Sequence, residues 1–279
     1  MHFYFLLARR TPDVPSQIIL ETSSILCQRG HHVASSIPEE ELASLDDLPL
    51  DHDLCLLKSY TELSLSLAGA LGAQGANLIN PYEGCADARN KIVCYQVLKE
   101  FGVPVPKAWI TCDKNLLKQL VQQRPLIVKP YMGWRGEGIR IARNEWEIDS
   151  LPAFTSPPLI QEYIENDGTD LRLYVAGTEV FGIRKQFSST SFAKNGDPVA
   201  VTPELREIAL RCGRAFGLRL YGIDIIEGAG GPYVVDVNYF PGYKGVRGAA
   251  GVVADYVESH ARHLPATSRK ALPLFEVAR

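Results

Sequence analysis

The stretch from Tyr221 to Val246 constrains the fold of this chain more than any other part of the sequence. It predicts two strands, Leu220–Glu227 and Tyr233–Asn238, joined by a glycine-rich turn. Each strand carries an acid inside an apolar string, YGIDII or YVVDVN, of the kind expected to be buried. A buried carboxylate is costly unless it meets a cation. The pattern therefore predicts a β-hairpin that carries a charged functional site.

Three oxygen-bearing side chains on this hairpin form a predicted metal-ligand set, namely Asp224, Asp236 and Asn238. Asp236 and Asn238 are two residues apart, so they point to the same face of their strand, and Asp224 lies across the hairpin. Two carboxylates and an amide oxygen suit Mg²⁺ held against phosphate oxygens. The alternative, solvated acids on a surface hairpin, is disfavoured by the apolar residues around them.

An Asp strand, an Asp-x-Asn strand and a Pro-Gly loop in this order resemble the metal-binding end of the ATP-grasp superfamily. The string DVNYFPGY resembles the inositol polyphosphate (tris/tetrakisphosphate) kinases of that superfamily most closely. The peptide-ligase branch, with the ribosomal-protein glutamate ligases and glutathione synthetases, usually has Glu where Asp236 stands. That branch also usually has Ser or a similar residue before the Pro-Gly.

The resemblance implies an α/β protein with the ATP-grasp fold in three parts. These are an N-terminal parallel α/β domain that binds the acceptor, a central lid and a C-terminal antiparallel-sheet subdomain for nucleotide and metal. The predicted bounds are 1–80 for the acceptor domain and 81–265 for the ATP-grasp domain, with the lid at about 107–160, the C-terminal subdomain at about 161–265 and a tail at 266–279.

Composition limits the remaining classes of function. The net charge of −3 gives no support to nucleic-acid or membrane binding, and no apolar run is long enough to span a bilayer. Six scattered cysteines without a C-x-x-C spacing indicate reduced thiols. We therefore expect a cytoplasmic enzyme, monomer or homodimer, whose partner is a small anionic acceptor substrate rather than nucleic acid or membrane.

Cations follow two strands of the predicted N-terminal sheet. Arg9 and Arg10 come after the first strand, and Lys58 follows the third. Ligands gather at the carboxyl ends of strands in an open parallel sheet, although exposed Arg and Lys are also common on surfaces. In the inositol phosphate kinases, basic residues at matching places bind substrate phosphates, so the resemblance implies that these three residues bind the acceptor.

Two lysines are the predicted phosphate ligands. Lys129 ends an apolar strand, where a lysine is costly to bury unless it meets an anion. Lys91 lies in a helix predicted over Ala86–Phe101, and in ATP-grasp enzymes a basic residue of this helix reaches the nucleotide phosphates. A plain surface lysine is the alternative for Lys91.

A glycine-rich loop follows Lys129. Gly133, Gly136 and Gly138 permit close approach of the backbone and offer N–H groups to phosphate. The loop resembles the mobile glycine loop of ATP-grasp enzymes, and its pattern is closer to the ligase branch. The inositol kinases often place a substrate-binding His here. No His lies between residues 125 and 142, and Arg135 is the expected substitute.

The resemblance also implies how adenosine is bound. Backbone groups of Glu162, Tyr163 and Ile164 are expected at the adenine edge, with side-chain contacts from Gln161 or Glu162. Asp170 matches an acid that reaches the ribose. The alternative for this segment is an edge strand with exposed acids.

The remaining predicted residues surround the transferring group. Arg172 and Arg184, on a predicted hairpin, are expected to act with Lys129 as catalytic residues that offset charge on the phosphoryl group. Other residues complete the nucleotide and acceptor contacts in the prediction: Asn195 for the nucleotide, and Lys185, Lys194, Gly242, Tyr243 and Arg172 for the acceptor.

Two acceptors fit this scaffold. The first is the hydroxyl of an inositol phosphate or similar phosphorylated polyol, which DVNYFPGY and the Asp/Asn metal set favour. The second is a carboxylate that is activated as an acyl phosphate and captured by an amine, which the glycine loop favours. We expect the kinase, with ATP and two Mg²⁺ ions for which Mn²⁺ substitutes. A non-catalytic ATP-binding module is a third hypothesis.

Overall fold

The computed structural model describes residues 1–9, 14, 16–133, 136–186 and 195–264. The chain divides into two compact units, one formed by residues 1–82 with the chain from Gly248 onward, and one by residues 83–247. Within the described residues, every helix is too short or too polar to cross a membrane.

The strands of the described residues are β1 (His2–Leu7), β2 (His32–Ser36), β3 (Leu54–Lys58), β4 (Leu78–Ile79), β5 (Ala108–Ile110), β6 (Leu126–Pro130), β7 (Arg140–Ala142), β8 (Pro158–Glu162), β9 (Thr169–Ala176), β10 (Glu179–Gln186), β11 (Asp197–Val199), β12 (Leu220–Gly228) and β13 (Gly231–Tyr239). The α-helices are α1 (Gln17–Gln28), α2 (Glu62–Ala73), α3 (Tyr82–Arg89), α4 (Lys91–Glu100), α5 (Leu117–Val121), α6 (Glu145–Asp149), α7 (Pro203–Phe216) and α8 (Ala249–Arg262).

The first unit is built on a four-stranded parallel sheet in the order β2-β1-β3-β4. Its central strands bury apolar side chains completely, among them Phe3, Phe5 and Leu56. The parallel N-terminal sheet expected from alternating strands and helices is therefore confirmed.

Helix α8 packs on α1 in this unit. Arg29, which follows α1, pairs with Asp255 at 2.6 Å and Glu258 at 2.8 Å on α8. The sequence interpretation placed this last helix in the domain 81–265, whereas its contacts with α1 group it with the first unit.

The second unit contains two antiparallel sheets. One has the order β5-β8-β6-β7 and packs around a small apolar core that includes Leu117, Leu126 and Ile148. The other has the order β11-β10-β9-β12-β13. Helix α7 packs against β9 and β12 of the larger sheet through its buried face, Leu205, Ile208, Ala209, Cys212 and Phe216.

The single helix predicted over Ala86–Phe101 is wrong, because Asn90 divides it into α3 and α4. Asn90 has an extended backbone, and its side-chain oxygen accepts hydrogen bonds from the N–H groups of Ile92 and Val93 at 3.1 and 3.3 Å. It is thus the N-cap of α4, a position that asparagine favours. The break makes Lys91 the first residue of α4.

Replacement of Gly84 by alanine is expected to destabilise the second unit by about 1–3 kcal/mol, the usual cost of overpacking. A Cβ at this position of α3 would lie 1.9 Å from the Phe216 carbonyl oxygen, so the backbone has to shift. The measurement is the midpoint and slope of urea unfolding.

The control is Gly251→Ala on α8, where a Cβ meets nothing within 4 Å. Alanine in place of a helical glycine stabilises by about 0.5–1 kcal/mol. Equal stability of the two variants would contradict the close contact between α3 and Phe216.

Candidate functional site

A row of charged side chains crosses one face of the larger antiparallel sheet. The strand register pairs Arg172 on β9 with Asp224 on β12, and Asp224 with Asp236 on β13. Lys185 on β10 pairs with Asp170, two residues before Arg172 on the same face. We call these five side chains the charged strip.

Directly behind the charged strip, the opposite face of the same strands is apolar. Leu171, Leu173, Ile223 and Ile225 alternate with the charged residues and are buried on the side of α7. Alternation along a strand therefore explains why single acids interrupt apolar strings in the sequence. The acids belong to the functional face, and their neighbours belong to the core.

Arg172 is held between two carboxylates. Its Nε lies 3.0 Å from Asp170 Oδ2 and 3.3 Å from Asp224 Oδ1. Burial works against the charge of Arg172, but Asp224 and Asp170 outweigh it and raise the pKa of the guanidinium above its ordinary value. Burial raises the pKa of Asp224, with Arg172 opposing and Asp236 adding to the shift. A further cation near Asp224 would therefore stabilise its ionised carboxylate.

Both predicted phosphate lysines reach β13. Lys91 Nζ lies 2.6 Å from Asp236 Oδ1, and Lys129 Nζ donates to the Val235 carbonyl oxygen at 3.3 Å. Burial works against the charge of Lys91, but Asp236 outweighs it and raises the pKa of Lys91. Burial lowers the pKa of Lys129 to about 8. The backbone N–H of Lys91 also donates to Tyr131 O at 2.9 Å, which joins the start of α4 to the start of the glycine loop.

A β-bulge provides the acceptor for Lys129. Asp224 pairs with Asp236 while Ile225 pairs with Val234, so Val235 is the extra residue on β13. A bulged residue is left out of the ladder, and bulges are frequent next to active sites. Sequence reasoning missed this feature, because the strand has no glycine or proline at the bulge. The N-cap Asn90, which fixes Lys91, was also missed, although an Asn before a helical run is a recognisable signal.

A cavity with mostly apolar walls adjoins Lys91 and Asp236. It is lined by Cys94, Leu98, Val105, Leu159 and Val234, together with Gln161. Gln161 is only 3% exposed, and its Oε1 has no hydrogen-bond partner among the described residues. Apolar walls with a few polar groups are the kind of lining that small-molecule sites have.

Several polar groups of residues 162–164, the segment expected at the adenine edge, already have hydrogen-bond or ion-pair partners within the protein. The N–H of Glu162 donates to Lys107 O and that of Tyr163 to Pro125 O, both at 2.9 Å. The Glu162 carboxylate pairs with Arg124 at 3.1 Å. The carbonyl of Ile164 accepts a hydrogen bond from Asn166 at 2.9 Å. Within this segment Gln161 is the side chain that faces the cavity.

The predicted metal ligands fit a hard divalent cation. Asp224 and Asp236 are directly paired across two strands, and Asn238 follows on the same face of β13. Carboxylate and amide oxygens are the donors that Mg²⁺ prefers. The described residues contain no group of three or more His, Cys, Asp or Glu side chains able to hold a metal, and the predicted set consists of two carboxylates and one amide. When bound, a divalent ion supplies positive charge next to phosphate oxygens.

The structure separates Arg184 from the charged strip. Arg184 pairs with Leu171 in the register, so it lies on the face opposite Arg172. There it contacts Glu227 at 2.5 Å and Thr169 at 3.2 Å. The expectation that both arginines serve one catalytic site is therefore wrong for Arg184, because adjacent residues of a strand point to opposite faces.

Two predicted acceptor or nucleotide residues have structural partners instead. Tyr243 is buried with a positive φ of 48°, and its hydroxyl donates to Val175 O at 2.6 Å. Asp170, expected at the ribose, is 4% exposed and bonded to Arg172. Lys185 is also buried, and burial lowers its pKa to about 8, with Arg172 adding to the shift.

Several other predicted site residues lie in loops or outside the described residues. Gly242 is exposed, and Asn195 lines a cavity with Gly196 and Arg247. Gly136 and Gly138 have positive φ values of 75°, as the tight loop requires, and Gly133 stands at its start. Residues Arg10, Arg135 and Lys194 lie outside the described residues.

Two predicted acceptor residues lie in the first unit. Arg9 pairs with Glu40 at 2.6 Å. Lys58 lies over the ring of Tyr60 at 5.7 Å from its centre. Arg9 follows β1 as expected, whereas Lys58 is the last residue of β3 rather than the residue after it.

Comparison with known proteins identifies the fold and the family. The RimK-like ATP-grasp domain family matches residues 88–257. The chain resembles the crystal structure of a RimK domain ATP-grasp protein from Sphaerobacter thermophilus with a TM-score of 0.72 and 18% identity, over 92% of this chain and 100% of that one. It resembles the ATP-grasp ligase PsnB, solved with minimal precursor, Mg and ADP, with a TM-score of 0.70 and 19% identity, over 93% and 97% of the two chains. The protein therefore has the expected ATP-grasp fold.

Curated relatives show which branch is similar. A probable alpha-L-glutamate ligase of Trichodesmium erythraeum is 32% identical over 64% of this chain and 64% of its own length. A second, from Picosynechococcus, is 30% identical over 68% of this chain and 70% of its own length. The chain thus spans roughly two thirds of each relative, by these fractions. These similarities support an ATP-dependent ligase rather than the inositol phosphate kinase that we preferred from the sequence. By the match over most of its length, the chain belongs to the RimK-like ATP-grasp family.

Proposed function

We propose that the protein is an ATP-dependent carboxylate–amine ligase that uses L-glutamate as its amine substrate. The main support is the family match over residues 88–257, which contains the whole charged strip, both lysines and all three predicted metal ligands. L-glutamate is proposed because similar proteins are named as probable alpha-L-glutamate ligases.

The nucleotide site follows from the contacts around α4 and β13. In the proposal, adenine enters the apolar cavity, where the Gln161 oxygen accepts a hydrogen bond from the exocyclic amine. The phosphates then extend towards Lys91 and Lys129, which contact Asp236 and the neighbouring Val235 carbonyl. Asp224, Asp236 and Asn238 would hold Mg²⁺ against the phosphate oxygens. ATP and Mg²⁺ are thus the proposed cofactors.

The reaction has two chemical steps. First, a carboxylate oxygen of the acceptor attacks the γ-phosphorus of ATP, an O–P bond forms, the bond to the β–γ bridging oxygen breaks, and ADP leaves. Second, the neutral amine attacks the acyl carbon, a C–N bond forms and the C–O bond to phosphate breaks. Inorganic phosphate leaves with the proton that the nitrogen loses.

Charge stabilisation is the main contribution of the protein side chains. Arg172 stands one strand away from Asp224, so its guanidinium is next to the predicted metal and phosphate positions. Asp170 and Asp224 both contact the Arg172 Nε, which holds the guanidinium in place beside the predicted metal ligands. Preorganised positive charge at the transferring phosphoryl group is a large term in such reactions.

A phosphorylated-polyol kinase is the second candidate. The string DVNYFPGY favours it, since Asp236 stands where ligases of this superfamily usually have Glu. The two activities differ in their need for an amine. A kinase yields ADP and a phosphorylated polyol without any amine, whereas a ligase releases phosphate in an amine-dependent manner and forms a hydroxamate with hydroxylamine.

We expect the protein to release phosphate from Mg-ATP when an acidic peptide and L-glutamate are both present, and the peptide to gain one glutamyl residue by mass spectrometry. Asp236→Asn should reduce this rate by at least roughly 100-fold, since losses up to that size occur even when a residue that only supports a metal site is mutated. Urea unfolding of the variant should show that the fold persists.

The matched control is Asp255→Asn, which removes an acid from the exposed side of α8 in the other unit. It should retain the wild-type rate. Amine-independent phosphorylation of an inositol phosphate would overturn the ligase proposal and support the kinase.

The buried Lys129 makes stability depend on pH in a defined direction. Its pKa is lowered from 10.5 to about 8 by burial, so the unfolded chain keeps a proton that the folded chain loses between these values. Stability therefore rises with pH across this window as the charge penalty disappears. The stability gained by Lys129→Met should be largest below pH 8 and should shrink towards pH 10.5.

Urea unfolding of wild type and Lys129→Met at several pH values measures this difference. A difference that stays constant across the window would contradict the lowered pKa of Lys129. Saturating Mg-ATP should also reverse the ranking below pH 8, because the phosphates stabilise the charged lysine only in the wild type.

A further inference from the structure

Lys91 forms an ion pair with Asp236, which is one of the predicted metal ligands. Lys91 Nζ lies 2.6 Å from Asp236 Oδ1, and the pair is mostly buried, with side-chain exposures of 14% and 30%. Asp236 has two oxygens, and one of them is held by an ammonium at hydrogen-bond distance. A divalent cation bound by Asp236 would stand close to that ammonium and be repelled by it.

The two cations on the carboxylate pair differ in how easily they can leave. Arg172 is fixed, because it lies on the neighbouring strand and is bonded to Asp170 as well as to Asp224. Lys91 comes from the first turn of α4, has a flexible four-carbon stem and reaches Asp236 from another element. Lys91 can therefore exchange its partner without disturbing the sheet.

An anionic ligand in the neighbouring cavity would be an alternative partner for Lys91. Lys91 lines the same cavity as Gln161 and Asp236, so an anionic ligand that enters this cavity comes within reach of the ammonium. Lys129, on β6, donates to the carbonyl oxygen of Val235, the residue before Asp236, and adds positive charge to the same place. An anion bound there offers Lys91 a replacement for Asp236.

We propose that Lys91 is an exchangeable counter-ion, which blocks Asp236 until a nucleotide draws it away and frees the carboxylate for a divalent cation. The inference rests on the proposed nucleotide-dependent function and names a regulation of that same site. Metal-free protein keeps Asp236 neutralised by Lys91, which stabilises the buried acids. Metal binding and nucleotide binding are then positively coupled, since each removes the obstacle to the other.

The test measures Mn²⁺ binding to the full chain without nucleotide, from the EPR signal of free Mn²⁺. Lys91→Met is expected to bind Mn²⁺ about tenfold more tightly than wild type, inside the roughly 5–150-fold range typical of coupled sites. A lysine that only binds phosphate would not change Mn²⁺ binding in the absence of nucleotide, so the expected gain distinguishes the two roles of Lys91.

Two matched variants locate the effect. Lys99→Met removes a lysine from the exposed end of the same helix and should bind Mn²⁺ as wild type does. Lys129→Met removes a lysine that touches the Val235 carbonyl rather than a carboxylate, so its effect should be much smaller than that of Lys91→Met. Adding Asp236→Asn to Lys91→Met should abolish the gain.

Unchanged or weaker Mn²⁺ binding by Lys91→Met overturns the inference, as does a gain that survives Asp236→Asn. Far-ultraviolet circular dichroism and the urea midpoint show that each variant is folded. The outcome is separate from the ligase assay. Tighter Mn²⁺ binding without amide formation would reject only the ligase proposal, and amide formation with unchanged Mn²⁺ binding would reject only the counter-ion.

Discussion

The compensation of buried carboxylates by cations is the constraint on which the site depends. Asp224 and Asp236 are paired across β12 and β13, and burial, together with the nearby charge of Asp236, disfavours the ionised form of Asp224. Arg172 offsets the first carboxylate from β9, and Lys91 offsets the second from α4. Without these cations the hairpin would carry an uncompensated charge in its interior, which is strongly destabilising.

The same compensation organises the second unit around the site. Lys91 ties α4 to β13, Lys129 ties β6 of the smaller sheet to the β13 bulge, and Arg172 ties β9 to β12. Each contact joins elements that lie far apart in the chain. The residues that are proposed to bind nucleotide and metal thus also connect the two antiparallel sheets to each other and to α4.

Local sequence patterns predicted much of the fold because their physical signals are short-ranged. Helices α2 and α7 begin where local signals favour a helix, since a Thr cap precedes each and an amphipathic or apolar run follows. The β12–β13 hairpin is present as expected. Alternation with period two places Asp236 and Asn238 on one face of β13. The glycine loop favoured the ligase branch and Asp236 opposed it, and the similarities to known proteins support the ligase alternative better than the kinase that we expected.

The sequence by itself determined the hairpin that carries the predicted oxygen ligands and singled out the two lysines as candidate phosphate ligands. Only the tertiary structure decided which cations meet those ligands. Arg172 and Arg184 look alike in the sequence, but strand register directs one to the carboxylates and the other to Glu227 on the opposite face. The bulge at Val235 and the pairing of Lys91 with Asp236 likewise depend on packing between distant segments, and no local pattern encodes such long-range contacts.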